Sequence, residues 1–297
     1  MAEQRRYDPM VGLWKEFNRK KGRIERIKLR LKFVARQYQD RALPDGLIIG
    51  AQKAGTTSLY HYLRRHPGIG GVVPRPDGLE HYSKEVHFFD ANHLKGVRWY
   101  RAQFPKRSEG KFVIEATPGY IHPRPASRMH ALLPEAKLVL SLRDPVDRAY
   151  SRYQHLLREP RTEELLRDGE VLLSFRECVD WLLDGKTLKG DANRLLKSGH
   201  YAEELSHLYT LYPREQVHIV NFAELGQDPA RVVAGILEFF ELPPADLGPY
   251  DPVHVGGYTK RMDQETEARL REYFAPHNAR LEELLGYSMG WSAPRSS

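Results

Sequence analysis

The chain has 297 residues, of which 41% are hydrophobic, with a single cysteine and a formal net charge of +7. That length supplies a buried core for one large or two modest domains. The lone Cys178 excludes an intramolecular disulfide, and no apolar run approaches the roughly 18–20 residues that a membrane-spanning helix needs.

The N-terminus is polar and basic and carries no secretory signal, so a soluble, cytoplasmic protein is expected. Residues 1–41 hold 13 Lys/Arg and 5 Asp/Glu, a net +8, which leaves −1 for the remainder. We therefore divide the chain into a basic, partly helical arm (1–41) and one domain (42–297). Residues 1–20 carry Pro9, Gly12 and scattered charge and predict little structure. A helix is expected over Arg23–Tyr38, with Ile24, Ile27, Leu31, Val34 and Tyr38 on one face. That stripe is expected to pack on the body. Docking to a membrane surface or to a carrier protein are the alternatives.

Leu47-Ile48-Ile49 reads as a buried strand, followed by the loop Gly50-Ala51-Gln52-Lys53-Ala54-Gly55 and a helix to about His66. A strand, a glycine-bounded loop and a helix N-terminus face an anion with backbone N–H groups. Lys53 adds a positive charge, and Thr56, Thr57 and Ser58 add hydroxyl donors, so the stretch reads as a phosphate cradle. It is not a Walker loop, because Thr56 stands where the lysine belongs. Residues 68–82 are rich in glycine and proline and read as a loop.

Lys84–Asp90 reads as an extended segment in which Glu85 and His87 point the same way. A carboxylate beside an imidazole can take a proton from a hydroxyl. A helix is expected over Asn92–Phe104, burying Trp99, Tyr100 and Phe104. Strands are expected at Lys111–Glu115, Lys137–Leu142 (a central one) and Val217–Val220. Helices are expected over Pro125–Leu133, Val171–Leu183, Gly199–Leu211, Pro229–Phe240 and Glu265–Leu285, the last interrupted near Pro276. Arg143 at the end of a strand and Ser151 two turns into the next helix can converge on one phosphate. Arg148 and Arg152 read as solvated or structural, and Cys178 as a core residue. Tyr201 faces either the acceptor or the core. The 13 histidines show no ligand spacing with carboxylates, so no metal is expected.

Three segments, in this order, carry a resemblance. Gln52–Leu59 resembles the 5′-phosphosulfate loop of sulfotransferases that use 3′-phosphoadenylyl sulfate (PAPS). Lys84–Asp90 is similar to the active-site segment of their heparan-sulfate-type branch. Leu142–Pro145, followed by Arg148 and Ser151-Arg152-Tyr153, resembles the family's 3′-phosphate segment. The chain looks like a soluble, bacterial-type member over about residues 44–291.

The resemblance implies an α/β, P-loop-like sulfotransferase fold with a central parallel sheet flanked by helices. It implies sulfuryl transfer from PAPS to an acceptor hydroxyl on a glycan, lipid-linked sugar, acyl chain or secondary metabolite, leaving PAP. Glu85 is then the general base, supported by His87, and Lys53 faces the leaving oxygen. Gln52 to Ser58 hold the 5′-phosphate, and Arg143 and Ser151 the 3′-phosphate. Gly257, Lys260 and Arg261 close over the nucleotide. Heparan-type relatives usually carry a lysine where this chain has Ala116. A nucleotide kinase or NTPase is disfavoured by the displaced lysine and by the absence of a magnesium-binding aspartate after Lys137–Leu142. A nucleic-acid-binding protein is disfavoured by a body with no net positive charge and no aromatic-basic stacking array.

Overall fold

The computed structural model describes residues 23–73, 84–158, 162–251 and 262–291. In chain order its main elements are α1 (Arg23–Arg36), β1 (Gly46–Gly50), α2 (Thr56–Leu63), β2 (Ile69–Gly70), α3 (Gly96–Arg101), β3 (Phe112–Ala116), α4 (Pro123–Leu132) and β4 (Lys137–Leu142). They continue with α5 (Pro145–Leu156), the pair β5 (Leu166–Arg167) and β6 (Val171–Leu172), α6 (Phe175–Leu183) and α7 (Tyr201–Tyr209). The chain then forms β7 (Val217–Asn221), α8 (Phe222–Gln227), α9 (Pro229–Phe239) and α10 (Gln264–Leu285).

Five strands form one sheet in the order β2-β3-β1-β4-β7, and every pairing is parallel. Parallel neighbours require crossovers, and helices supply them. The expected α/β architecture with a central parallel sheet is what the chain adopts.

The pleat explains why these strands are apolar throughout. Leu47 and Ile49 face one layer, with Leu138, Leu140 and Leu142 of β4. Ile48 faces the other, with Val139 and Ile114. The first layer is closed by Met129 of α4, Leu205 and Leu208 of α7 and Leu281 of α10. The second is closed by Leu59 and Leu63 of α2 and by Val233 and Ile236 of α9. Each such side chain is fully buried or nearly so and contributes about 1.5–3 kcal/mol. A third cluster joins α5, α6 and α10 and contains the buried Cys178, whose thiol burial pushes up to about 12.

Several expectations need correction. α10 runs unbroken through Pro276, which lies on its exposed face, so the carbonyl left without a donor can turn to water. The helix expected over Asn92–Phe104 is a wide turn (Phe88–Asn92), a tight turn (His93–Lys95) and then α3, because Gly96 sits at φ 80 between the last two. Part of the loop expected over 68–82 is β2, and the expected start of α6 is strand β6. The N-terminal stripe does not pack on the body. Ile27, Leu31, Val34 and Tyr38 are exposed, and Phe33 meets Trp99 on another face of α1.

Candidate functional site

β1 ends at Gly50, and the chain turns through residues 51–55 into α2. Lys53 and Gly55 are left-handed, at φ 71 and φ 78. Glycine takes that conformation without strain, whereas a side chain at position 55 would also put its Cβ 2.9 Å from the Phe222 ring. Gly55 is the N-cap of α2 and has no side-chain oxygen to cover the first-turn N–H groups. Ser141 of β4 fastens the loop at both ends: its carbonyl accepts from Ala51 N at 2.6 Å, and its hydroxyl donates to the Ala54 carbonyl at 2.6 Å. Gln52, Lys53, Thr57 and Ser58 are half-buried at this corner, while Ala54 and Thr56 are buried.

Arg143 follows β4 and reaches back to the same loop. Its Nη1 donates to the Lys53 carbonyl at 3.2 Å, and its guanidinium lies 4.9 Å over the Phe222 ring. Tyr201 is buried, and its hydroxyl donates to the Arg143 carbonyl at 2.8 Å, so it braces the arginine. A cleft of about 270 Å³ opens here, lined by Arg143, Phe222, Arg271 and Trp291 among others. Asp144 caps α5 by accepting from Val146 N at 2.9 Å, and Arg271 reaches its carboxylate at 3.4 Å. Ser151 is buried on α5. Arg148 is 1% exposed and donates to the Leu195 carbonyl, and Arg152 pairs with Asp191 at 2.6 Å, so both are structural.

The third part of the site hangs on the end of β3. Glu85 and His87 do meet, with Oε2 to Nε2 at 3.0 Å, but strand alternation is not the reason. His87 is left-handed at φ 52 and starts the wide turn, which also brings Asp90 Oδ2 to 2.8 Å from its Nδ1. Lys84 donates to Glu85 Oε1. Burial works to raise the Glu85 pKa, but the His87 and Lys84 contacts overcome it and hold the carboxyl at about 2. Asp90 first, and then Glu85, hold the His87 imidazole as a cation up to about 10.

A fully buried carboxylate holds this segment in place. Glu115 accepts from Thr117 Oγ1 at 2.7 Å, Tyr120 Oη at 2.8 Å, Val86 N at 3.2 Å and the Tyr100 hydroxyl. Burial pushes its pKa up, against those donors. Ala116 is buried, and its N–H donates to the Lys84 carbonyl at 3.0 Å, so the segment is also tied to β3 by its backbone.

Sheet order brings the three parts together. Ile48 of β1 is in register with Ala116 of β3 on one side and with Val139 of β4 on the other. The phosphate loop and Arg143 therefore leave the carboxyl ends of the adjacent β1 and β4, and the Glu85 segment, which precedes β3 in the chain, is tied to the carboxyl end of β3 through Ala116 N; open parallel sheets place ligands at such ends. Gly257, Lys260 and Arg261 lie outside the described residues. Sequence reading missed Lys84, Asp90, Glu115, Ser141, Phe222 and Arg271. An acidic residue inside the apolar run Phe112–Ala116 was the signal for Glu115, and a carboxylate three residues after His87 was the signal for Asp90.

The expectation of no His–carboxylate grouping also needs correction. His200, Glu203 and His277 place one ligand atom each within 4.8 Å of one another. The two rings, however, stack face to face at 3.7 Å with planes 8° apart. Their in-plane lone pairs run side by side rather than converging on an ion.

The sulfotransferase domain profile matches residues 43–274. The chain is 34% identical over 273 residues to a bifunctional heparan sulfate N-deacetylase/N-sulfotransferase 4 of Mus musculus, covering 82% of this chain and 30% of that protein. It is 29% identical over 274 residues to a Homo sapiens heparan sulfate glucosamine 3-O-sulfotransferase 3B1, covering 84% of this chain and 65% of the relative. The chain thus spans less than two thirds of the length of either. The crystal structure of a sulfotransferase from Alicyclobacillus acidocaldarius superposes with a TM-score of 0.62 at 28% identity, over 85% of this chain and all of that one.

Proposed function

The chain belongs to the PAPS-dependent sulfotransferase family, heparan-sulfate-like branch, and from that premise we propose that it moves a sulfuryl group from PAPS to a hydroxyl of a glycan-type acceptor. What supports the reading is that Arg143 reaches the phosphate loop through the Lys53 carbonyl, while the Glu85 segment is tied to the end of β3, the strand beside β1.

The residues fit an anionic nucleotide. The glycine-capped start of α2, with Thr56, Thr57 and Ser58, holds the 5′-phosphate. Arg143, braced by Tyr201 and Phe222, and Ser151 hold the 3′-phosphate. PAPS supplies the sulfuryl group. Lys53 stands in the loop to neutralise charge on the departing phosphate oxygen. Glu85 takes the role of proton acceptor, as an ionised carboxylate, and His87, held between Glu85 and Asp90, positions it. The acceptor oxygen forms its bond to sulfur as its proton passes to Glu85. The two relatives are a heparan sulfate N-deacetylase/N-sulfotransferase and a heparan sulfate glucosamine 3-O-sulfotransferase, which supports a glycan acceptor.

The test is incubation with PAPS carrying labelled sulfate and fractionated glycans. Label in a glycan product, cut ~100-fold or more by Lys53→Ala with PAP binding retained, is the expected result. Magnesium-dependent ATP turnover without sulfate transfer would make the protein a nucleotide kinase or NTPase instead.

A further inference from the structure

The N-terminal helix wears its apolar residues on the outside. Phe33 of α1 meets Trp99 edge-on at 6.4 Å and attaches the helix to the body. Away from that contact, Ile27, Leu31, Val34 and Tyr38 are 48, 61, 46 and 75% exposed. Their spacing of four, three and four residues makes them one stripe. The adjoining segment is exposed as well: Leu94 is 99% exposed and Val97 41%. The Arg98 guanidinium lies 5.5 Å over the Tyr38 ring and joins the two elements.

Single exposed apolar side chains are ordinary, but six large ones on two joined elements are a site. Lys28, Lys32, Lys95 and Arg98 are all exposed beside them. Asp40 is turned toward Arg107 at 3.7 Å. The face is thus apolar along its stripe and cationic at its edge. A second copy of the same face would set lysines against lysines. An anionic bilayer answers both features: acyl chains take the stripe, headgroups take the lysines, and long stems let the ammonium groups stay at the interface. A 14-residue helix is about 21 Å long, too short to cross a hydrocarbon core, so it would lie flat.

We propose that α1 and the Leu94–Arg98 segment form a docking face for an anionic lipid bilayer. The face is linked to the candidate active site, because Trp99 also stacks on Phe88 at 6.4 Å, next to His87. The proposal does not depend on which acceptor is sulfated.

Co-sedimentation of the full chain with phosphatidylcholine vesicles, with and without phosphatidylglycerol, tests it. We expect binding only to the anionic vesicles, weakened by salt. Leu31→Asn/Val34→Asn and Lys28→Glu/Lys32→Glu should each lower it about tenfold or more, with melting temperature and PAP binding unchanged. Three results would overturn the proposal. One is no sedimentation with anionic vesicles. Another is full binding by Leu31→Asn/Val34→Asn, which would mean charge attraction alone. The third is a lipid-free dimer that this variant dissociates, which would give the face to a second copy.

Discussion

Glu85 and His87 are joined by a 3.0 Å contact between Oε2 and Nε2, which helps lower the pKa of Glu85 together with Lys84 and, after Asp90, helps raise that of His87. The carboxyl stays ionised down to about 2, and the imidazole stays protonated up to about 10. Glu85→Gln should keep PAP affinity within about twofold and lower single-turnover transfer by ~10²–10⁴, the usual share of general-base catalysis. His87→Ala should cost less. If Glu85→Gln retains more than about a tenth of transfer while His87→Ala is inactive, the base is His87. The pH–rate profile should show no limb near the ordinary histidine value. Asp90→Asn removes the largest influence holding His87 protonated, so an alkaline limb should move down toward neutrality.

The same pair makes stability depend on pH. Glu85 has a lowered pKa, so its contribution is present above the unfolded value of 4.5 and is lost as pH falls through about 2. His87 has a raised pKa, so its contribution is complete below 6.5 and is lost as pH rises through about 10. Both are complete between 4.5 and 6.5. The melting-temperature gap between wild type and Glu85→Gln should be widest in that window. A gap independent of pH would show that the contact is not ionic.

Arg143→Ala should weaken PAP binding by ~1.5–3 kcal/mol, the range for a hydrogen bond to a charged group. AMP lacks the 3′-phosphate and should bind almost as before. Calorimetry with both nucleotides decides. Equal losses would mean that Arg143 acts by bracing the loop through the Lys53 carbonyl rather than by touching the 3′-phosphate.

Glu115→Gln can keep its amide oxygen on Val86 N, Thr117 and Tyr120, but it turns an N–H₂ against the Tyr100 hydroxyl and removes the charge that four donors surround. We expect a loss of ~1–3 kcal/mol in denaturant unfolding, together with reduced turnover as Glu85 and His87 shift. Wild-type stability in this variant would show that Glu115 is protonated in the native protein.

The strands were the most legible part of the chain. Lys137–Leu142 has the same bounds in sequence and structure, because a strand buried on both faces is a nearly continuous apolar run, here broken only by Ser141 after Lys137. The phosphate loop was legible because its parts are consecutive. What long-range contacts decide was not. Glu115 holds Val86 from 29 residues away, and Ser141 holds Ala54 from 87. Helical periodicity located the stripe on α1 but could not say which face meets the body. That choice was made by Phe33 against Trp99, two residues 66 apart. Backbone reversals were equally hidden: nothing in Lys84–Asp90 marks His87 as left-handed.

Trp99 meets Phe33 of α1 edge-on and stacks on Phe88, the neighbour of His87. Its indole is therefore a built-in optical reporter of that junction. Lifting α1 would bring water to the ring and move its emission to the red, whereas seating the helix against acyl chains would move it to the blue. Trp291, in the cleft beside Arg143, is placed to report nucleotide entry by quenching. The chain has four tryptophans, and variants that keep only Trp99 or only Trp291, with Trp14 and Trp181 replaced, would let each event be followed in the unlabelled protein by its own light.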